Sequence, residues 1–286
     1  MKFVSYNIQY GVGLDGRYDL PRIVSSLGGA DVIALQEVTR GFGRNGNVDM
    51  VAALETLLPR HYSVYWPASD IDAGSSLENG RVVSRRFQFG NMILSRWPIL
   101  SSRLILLPRS RTLDRLNLQR GATEAVIDAP GGPLRVYSLH LDHTYRNERI
   151  AQIAHLKERV QAYEIEGGAI SGAEEFGLSQ PPSPQDYVLM GDFNMTPESP
   201  EYCTLAGEAD PLYGRQIRAT CPVDVLAGLG KRQADSYSWI DPKNHAHRML
   251  IDYCFVSFGL VARLQDAWVD ETAAGSDHLP VWFELA

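Results

Sequence analysis

The chain has 286 residues, 44% hydrophobic and 21% charged, with 27 Lys and Arg against 34 Asp and Glu for a net charge of −7. That composition excludes a disordered chain, a collagen-like repeat and a coiled coil, and no apolar run approaches the roughly 18 to 20 residues that a membrane-spanning helix needs. Three cysteines with no CxxC pair exclude a disulfide scaffold and a zinc–thiolate centre.

Lys2–Asn7 reads as a strand ending in a Gly-rich turn, Gly11–Gly16. A short helix is expected over Leu20–Leu27, where Pro21 suits a first turn. Asp31–Glu37 is an apolar run closing on a carboxylate, the pattern of a buried strand. Helical spacing follows over Val48–Leu58, then a strand at Tyr62–Trp66 and a polar loop at Ile71–Gly80. Asn91–Ser95, Ile99–Leu107, Ala122–Asp128 and Leu134–His140 read as strands, the last two joined by a turn at Pro130–Pro133. Asn147–Glu166 is the longest helical pattern, and Gly167–Gln185 reads as a long surface loop. Strands are then expected at Tyr187–Met190, Leu250–Ser257, Leu260–Trp268 and Leu279–Glu284. No linker splits the chain into two cores, so residues 1–286 are expected to form one α+β layered domain.

Polar residues gather at the ends of these apolar strands. Asn7, Glu37 and His140 end three of them, and Asp192 and Asn194 follow a fourth in MGDFN. Asp252 lies inside RMLIDYCFVS, while Asp277 and His278 stand before the last strand in SDHLPV. A carboxylate in an apolar run is costly unless it is paired or metal-bound. Singly, each residue has an ordinary reading as a turn former, a cap or a structural partner; Asp252, for instance, could pair with Arg248. Together, four acids, two histidines and two asparagines at strand ends point to one converged site.

YNIQYG, ALQEV, GNMILSR, SLHLDH, GDFN, IDYCFVS and SDHLPV, in that order, resemble the endonuclease/exonuclease/phosphatase (DNase I-like) superfamily. The resemblance covers about residues 3 to 285 and implies a four-layer α/β/β/α sandwich and a metal-dependent phosphoesterase. It implies Glu37 as the principal Mg²⁺ or Mn²⁺ ligand, with Asn7 and Asp277 at the metal site. It implies Asp192 as the residue that deprotonates the attacking water and Asn194 as its positioning neighbour. His140 and His278 would hold phosphate oxygens or assist the leaving group, and Asp252 would orient His278. Arg120 of QRGA resembles a phosphate-contacting arginine, and His143 is a further candidate for the substrate. Oxygen-rich ligands favour Mg²⁺ or Mn²⁺ over zinc. QEV in place of QET lowers an exonuclease III-like role, and the absence of a WCDR motif lowers an inositol 5-phosphatase-like one.

Charge is unevenly distributed. Arg81–Arg120 holds nine arginines and one acid, while Glu164–Asp210 holds ten acids and no Lys or Arg. Two readings of the arginines stand at this point: a basic wall for an anionic substrate, or structural partners of the acidic stretch. The first makes DNA or RNA an alternative substrate to a smaller phosphate ester, while a non-catalytic binding module is a remote third reading. No protein partner can be inferred. The opening MKFVSYNIQYG lacks the features of a signal segment, so a cytoplasmic location is the expectation.

Overall fold

The computed structural model describes all 286 residues. The chain first lays down β1 (Lys2–Asn7), β2 (Val32–Arg40), β3 (Tyr62–Asp72) and β4 (Arg86–Ser95). It then crosses to a second sheet with β5 (Ile99–Leu106), β6 (Gly121–Ile127), β7 (Leu134–His140), β8 (Tyr187–Asp192), β9 (Val223–Asp224) and β10 (Asp252–Val256). It returns to the first with β11 (Leu264–Val269) and β12 (Val281–Leu285). The strand orders are β11-β12-β1-β2-β4-β3 and β9-β10-β8-β7-β6-β5. Both sheets are mixed: β1–β2 and β7–β8 are parallel, and the remaining pairs are antiparallel.

Alternation along the strands builds three apolar layers. Between the sheets, Phe3, Val32, Ala34 and Ile93 of the first meet Val136, Val188, Met190, Cys254 and Val256 of the second. Outside the first sheet, Val4, Tyr6, Ile33 and Leu35 pack against α1 (Leu20–Ser25) and α2 (Met50–Leu57). Outside the second, Tyr137, Leu139, Leu189 and Phe255 pack against α3 (Arg146–Gln161) and α4 (Pro200–Ala206). The result is the expected α/β/β/α sandwich. Asp19, Asp49 and Ser199 cap α1, α2 and α4 by accepting a hydrogen bond from the backbone N–H three residues on.

Four local expectations are corrected. The polar segment 71–80 is not all loop, because Ser76–Glu78 pairs with Arg81–Val83 across an Asn79–Gly80 turn. Both turn residues have positive φ, which Asn-Gly tolerates. β3 continues through Pro67 to Asp72 because it is an edge strand, where a missing N–H costs no ladder bond. Phe258–Arg263 is a 3₁₀ turn, so the strand expected from Leu260 begins at Leu264. The long helix breaks at Ala162, and its last part is a separate turn over Tyr163–Glu166. No helix is long and apolar enough to cross a membrane.

Candidate active site

In the second sheet the site is a row set by strand register. His140 of β7 lies opposite Asp192 of β8, and Asp192 lies opposite Asp252 of β10. On the other side His140 lies opposite Gly121, the residue after Arg120. Each of the three polar side chains extends an inward-facing series, such as Val188, Met190, Asp192, so the row ends the apolar layer between the sheets. Gly191 permits the close spacing: a Cβ there would lie 2.0 Å from the Leu139 carbonyl oxygen.

The first sheet delivers its groups differently. β1 simply ends in Asn7, but β2 carries a bulge in which the register against β4 shifts between Leu35 and Val38. Within it Glu37 adopts φ 60°, a conformation uncommon outside glycine. The extra residue turns the Glu37 carboxylate toward the cleft instead of the helix-covered face. Asn7 Nδ2 bridges the sheets by donating to Glu37 Oε1 at 3.3 Å and to Asp192 Oδ2 at 3.0 Å. Asp277 and His278, just ahead of β12, complete the ring; Asp277 Oδ2 accepts from Trp239 Nε1 at 3.2 Å.

The two buried histidines are held in opposite charge states. His278 Nδ1 lies 2.8 Å from Asp252 Oδ2, which also accepts from Ser238 Oγ at 2.6 Å. Burial opposes charge on His278, yet Asp252, Asp192 and Asp277 outweigh it and push the imidazole up to about 10. His140 Nε2 lies 3.3 Å from Asp192 Oδ2, but burial and the nearby Arg120 hold this ring well below the usual histidine range. A histidine pair whose environments drive its members apart supplies an acid and a neutral partner in one site. Asp192 itself is raised to about 7 by burial, with Asp252 adding to it. Its Oδ1 accepts from the Asn194 backbone N–H at 2.9 Å, and Asn194 Nδ2 donates to the Leu141 carbonyl at 3.1 Å.

Arg120 is 4% exposed. One guanidinium nitrogen lies 3.0 Å from His143 Nδ1, while Nε and Nη1 have no partner. Glu37, Arg120, His140, His143, Asp192, Asn194, Asp277 and His278 all line one cleft of about 630 Å³. Asn7 and Asp252 stand directly behind it, bonded to Asp192 and His278. One residue of the site carries no signal in the sequence: Ser238, which lies in an irregular segment and donates to Asp252.

Five of the other eight arginines of the 81–120 segment are held by neighbouring side chains. Arg85 pairs with Glu78, Arg86 with Asp70 and Arg96 with Asp31. Arg103 is held by Glu124 at 2.6 Å and Glu166 at 2.8 Å, and Arg109 Nε donates to Asn117. Arg81, Arg111 and Arg115 do not line the cleft either. The basic wall therefore reduces to Arg120, and only Arg103 reaches the acidic stretch. Asp252 pairs with His278, not with Arg248, whose guanidinium stacks on Tyr237.

The carboxylates suit a hard cation. Burial raises both Glu37 and Asp277, and Asp277 adds to the rise at Glu37. Such a cluster of oxygen donors carries charge that an Mg²⁺-like ion would balance. Asp192, Asp252 and His278 also bring potential ligand atoms within 4.8 Å of one another. There Nδ1 of His278 is taken up by its hydrogen bond to Asp252, while Nε2 faces Asp192 Oδ2 at 3.8 Å.

Several solved structures resemble the chain. A protein from Bacteroides vulgatus described as an endonuclease/exonuclease/phosphatase is 17% identical, with a TM-score of 0.62, covering 100% of this chain and 98% of that one. The mannosyl-6-phosphatase Bt3783 of Bacteroides thetaiotaomicron is 17% identical, with a TM-score of 0.61 over 100% and 99%. D. rerio TDP2, complexed with a single-strand DNA product, is 18% identical, with a TM-score of 0.62 over 99% and 97%. No curated protein matches the sequence. The model of the Endonuclease/Exonuclease/phosphatase family matches residues 4–278, and with the fold and the ordered strand-end residues in agreement, the chain belongs to that family of phosphoester hydrolases.

Proposed function

We propose that the chain is an Mg²⁺- or Mn²⁺-dependent phosphoesterase that hydrolyses a phosphodiester or phosphomonoester by in-line attack of water. The observation that carries this reading is Arg120: a buried guanidinium with two unpartnered nitrogens, in the same cleft as a cationic His278 and a cluster of carboxylates. A buried cation without an anion is unfavourable, and a phosphate oxygen is a fitting partner for it.

Glu37 and Asp277, with Asn7 beside them, would hold the divalent cation. When bound, it would neutralise phosphate charge and make water easier to ionise. Asp192 takes the proton of the attacking water; a carboxylate raised to about 7 is a well-matched base near neutrality. Asn7 and the Asn194 backbone N–H fix its two oxygens. His278, kept protonated by Asp252, donates toward the departing oxygen. Arg120, neutral His140 and His143 receive the phosphate, and Asn194 lines the same space.

A small ester is favoured over long nucleic acid. Arg85, Arg86, Arg96 and Arg103 are each paired with a carboxylate, which weakens the electrostatic basis for gripping a polyanion. The neighbours do not decide the matter, since one is a sugar phosphatase and another was solved with DNA. The test is a panel of p-nitrophenyl phosphate, bis-p-nitrophenyl phosphate and a single-stranded oligonucleotide, each assayed with Mg²⁺, Mn²⁺ or EDTA. Metal-dependent release from the small esters, with weak and salt-insensitive action on the oligonucleotide, is expected. Fast, steeply salt-dependent cleavage of the oligonucleotide alone would favour the nuclease.

A further inference from the structure

One side of the cleft is apolar, and the chemistry above does not use it. Tyr10, Phe42 and Phe87 all line it. The Tyr10 and Phe42 ring centroids are 4.9 Å apart, edge to face, and Phe42 and Phe87 are 5.0 Å apart. Phe89 continues the row inward, 6.1 Å from the His140 ring and 6.0 Å from the Arg120 guanidinium carbon. Aromatic rings thus stand both along this side of the cleft and beside the phosphate-binding groups. At the lip Arg44 is exposed, lines the cleft and has no carboxylate within ion-pair distance.

The wall is fixed in place. Buried Asn45 donates from Nδ2 to the Tyr10 carbonyl at 3.1 Å and to Thr39 Oγ1 at 3.0 Å. It thereby ties the Gly43–Asn45 turn, which follows Phe42 and carries Arg44, to the turn that follows Asn7. A preformed aromatic surface loses little freedom when a flat ligand stacks on it.

Building on the phosphoesterase reading, we propose that the substrate is a phosphate ester carrying a planar aromatic ring, an aryl group or a nucleobase. The ring seats against Tyr10, Phe42 and Phe87, with Arg44 at the lip, while the phosphate meets Arg120 and the two histidines. Ring faces and edges complement those of the wall, and a guanidinium adds a cation–π contact. A bare sugar phosphate fits poorly, because its hydroxyls would lie against rings that offer them no partners. The cleft volume of about 630 Å³ suits a ligand of nucleotide size.

The test uses the whole chain with Mg²⁺ and four phosphonates whose P–C bond the enzyme cannot hydrolyse. These are methylphosphonate, phenylphosphonate, and the phosphonate analogues of ribose 5-phosphate and adenosine 5′-monophosphate. Binding is read by calorimetry. Each ring-bearing ligand is paired with its ringless counterpart, and at least one pair should differ by about tenfold or more, as stacking on aromatic side chains provides. A preference in the phenyl pair alone identifies a simple aryl group, and one in the adenosine pair alone a nucleobase; either supports the proposal. Phe42→Ala should collapse the preference and leave methylphosphonate affinity unchanged, whereas Phe42→Trp should retain it. The wild-type ratios stand even if a variant fails to fold. Equal binding within both pairs, with methylphosphonate bound, would overturn the ring subsite and leave the phosphoesterase reading standing. If none of the four binds, that reading fails, and this proposal with it.

Discussion

The two parallel strand pairs, β1–β2 and β7–β8, are equivalent in architecture and unlike in how they reach the cleft. β7–β8 stays in register to its end and, with β10, presents His140, Asp192 and Asp252 side by side. β1–β2 reaches the same edge, but β2 places Glu37 through a bulge at positive φ. The straight row sets side by side ionisable neighbours that shift one another's charge. The bulge lifts one carboxylate out of its sheet to where a cation could meet it. Chemistry in this family member is thus set less by the shared scaffold than by how each strand pair ends.

Substitutions in the two pairs should fail in different ways. Asp192→Asn removes the proposed base while keeping its shape, and turnover should fall about 10² to 10⁴-fold with Mg²⁺ affinity largely kept. A rate above half of wild type would remove Asp192 from that role. Glu37→Gln should instead weaken Mg²⁺ affinity, by at least about 10 to 100-fold, the range seen when even a ligand's supporting partner is lost. Raising Mg²⁺ should partly restore Glu37→Gln and should not restore Asp192→Asn. If both variants respond alike to metal, the division between the strand pairs is wrong.

A smaller contrast lies within the arginine segment. Arg120→Ala should raise KM about tenfold, the worth of one charge-assisted contact, with little change in melting temperature. Arg103→Ala should do the opposite. It leaves buried Glu124 without its guanidinium, so stability should fall by about 3 kcal/mol while kcat/KM is kept. Steady-state kinetics beside thermal melts separates the two.

The smallest effect is on pH dependence. With its folded value raised to about 10, His278 contributes stability that is full below its ordinary value near 6.5. That contribution is lost as pH rises through about 10. Asp252→Asn removes the leading charge that raises it, so the imidazolium should deprotonate at lower pH and the alkaline limb of the rate profile should move down with it. A His278 NMR titration in both proteins follows this directly, and an unchanged midpoint would detach Asp252 from His278.

The straight row was legible in the sequence because alternation is local: Met190 inward implies Asp192 inward, and Ser138 implies His140. The bulge was not, since QEV carries no Gly or Pro to mark it and positive φ at Glu37 is imposed by the tertiary setting. The Ser76–Val83 hairpin was in principle legible from its Asn79–Gly80 turn, and α4 from the Ser199–Pro200 cap; both signals were lost inside stretches rich in polar residues. The arginine cluster misled because sequence density says nothing of spatial partners. Glu78, Asp70 and Glu124 neutralise it from adjoining strands and turns. The aromatic wall was invisible for the same reason: Tyr10, Phe42 and Phe87 are far apart in sequence and meet only because β2 and β4 pair and Asn45 holds the turn.

If the two strand ends make one metal-dependent hydrolytic site, the wild-type rate on bis-p-nitrophenyl phosphate should follow Mg²⁺ as it is titrated into EDTA-treated protein. We expect no rate above background in EDTA and a saturable return with Mg²⁺ or Mn²⁺ that follows the metal bound. A full rate in excess EDTA, or metal binding that restores no hydrolysis of any phosphate ester, would contradict it.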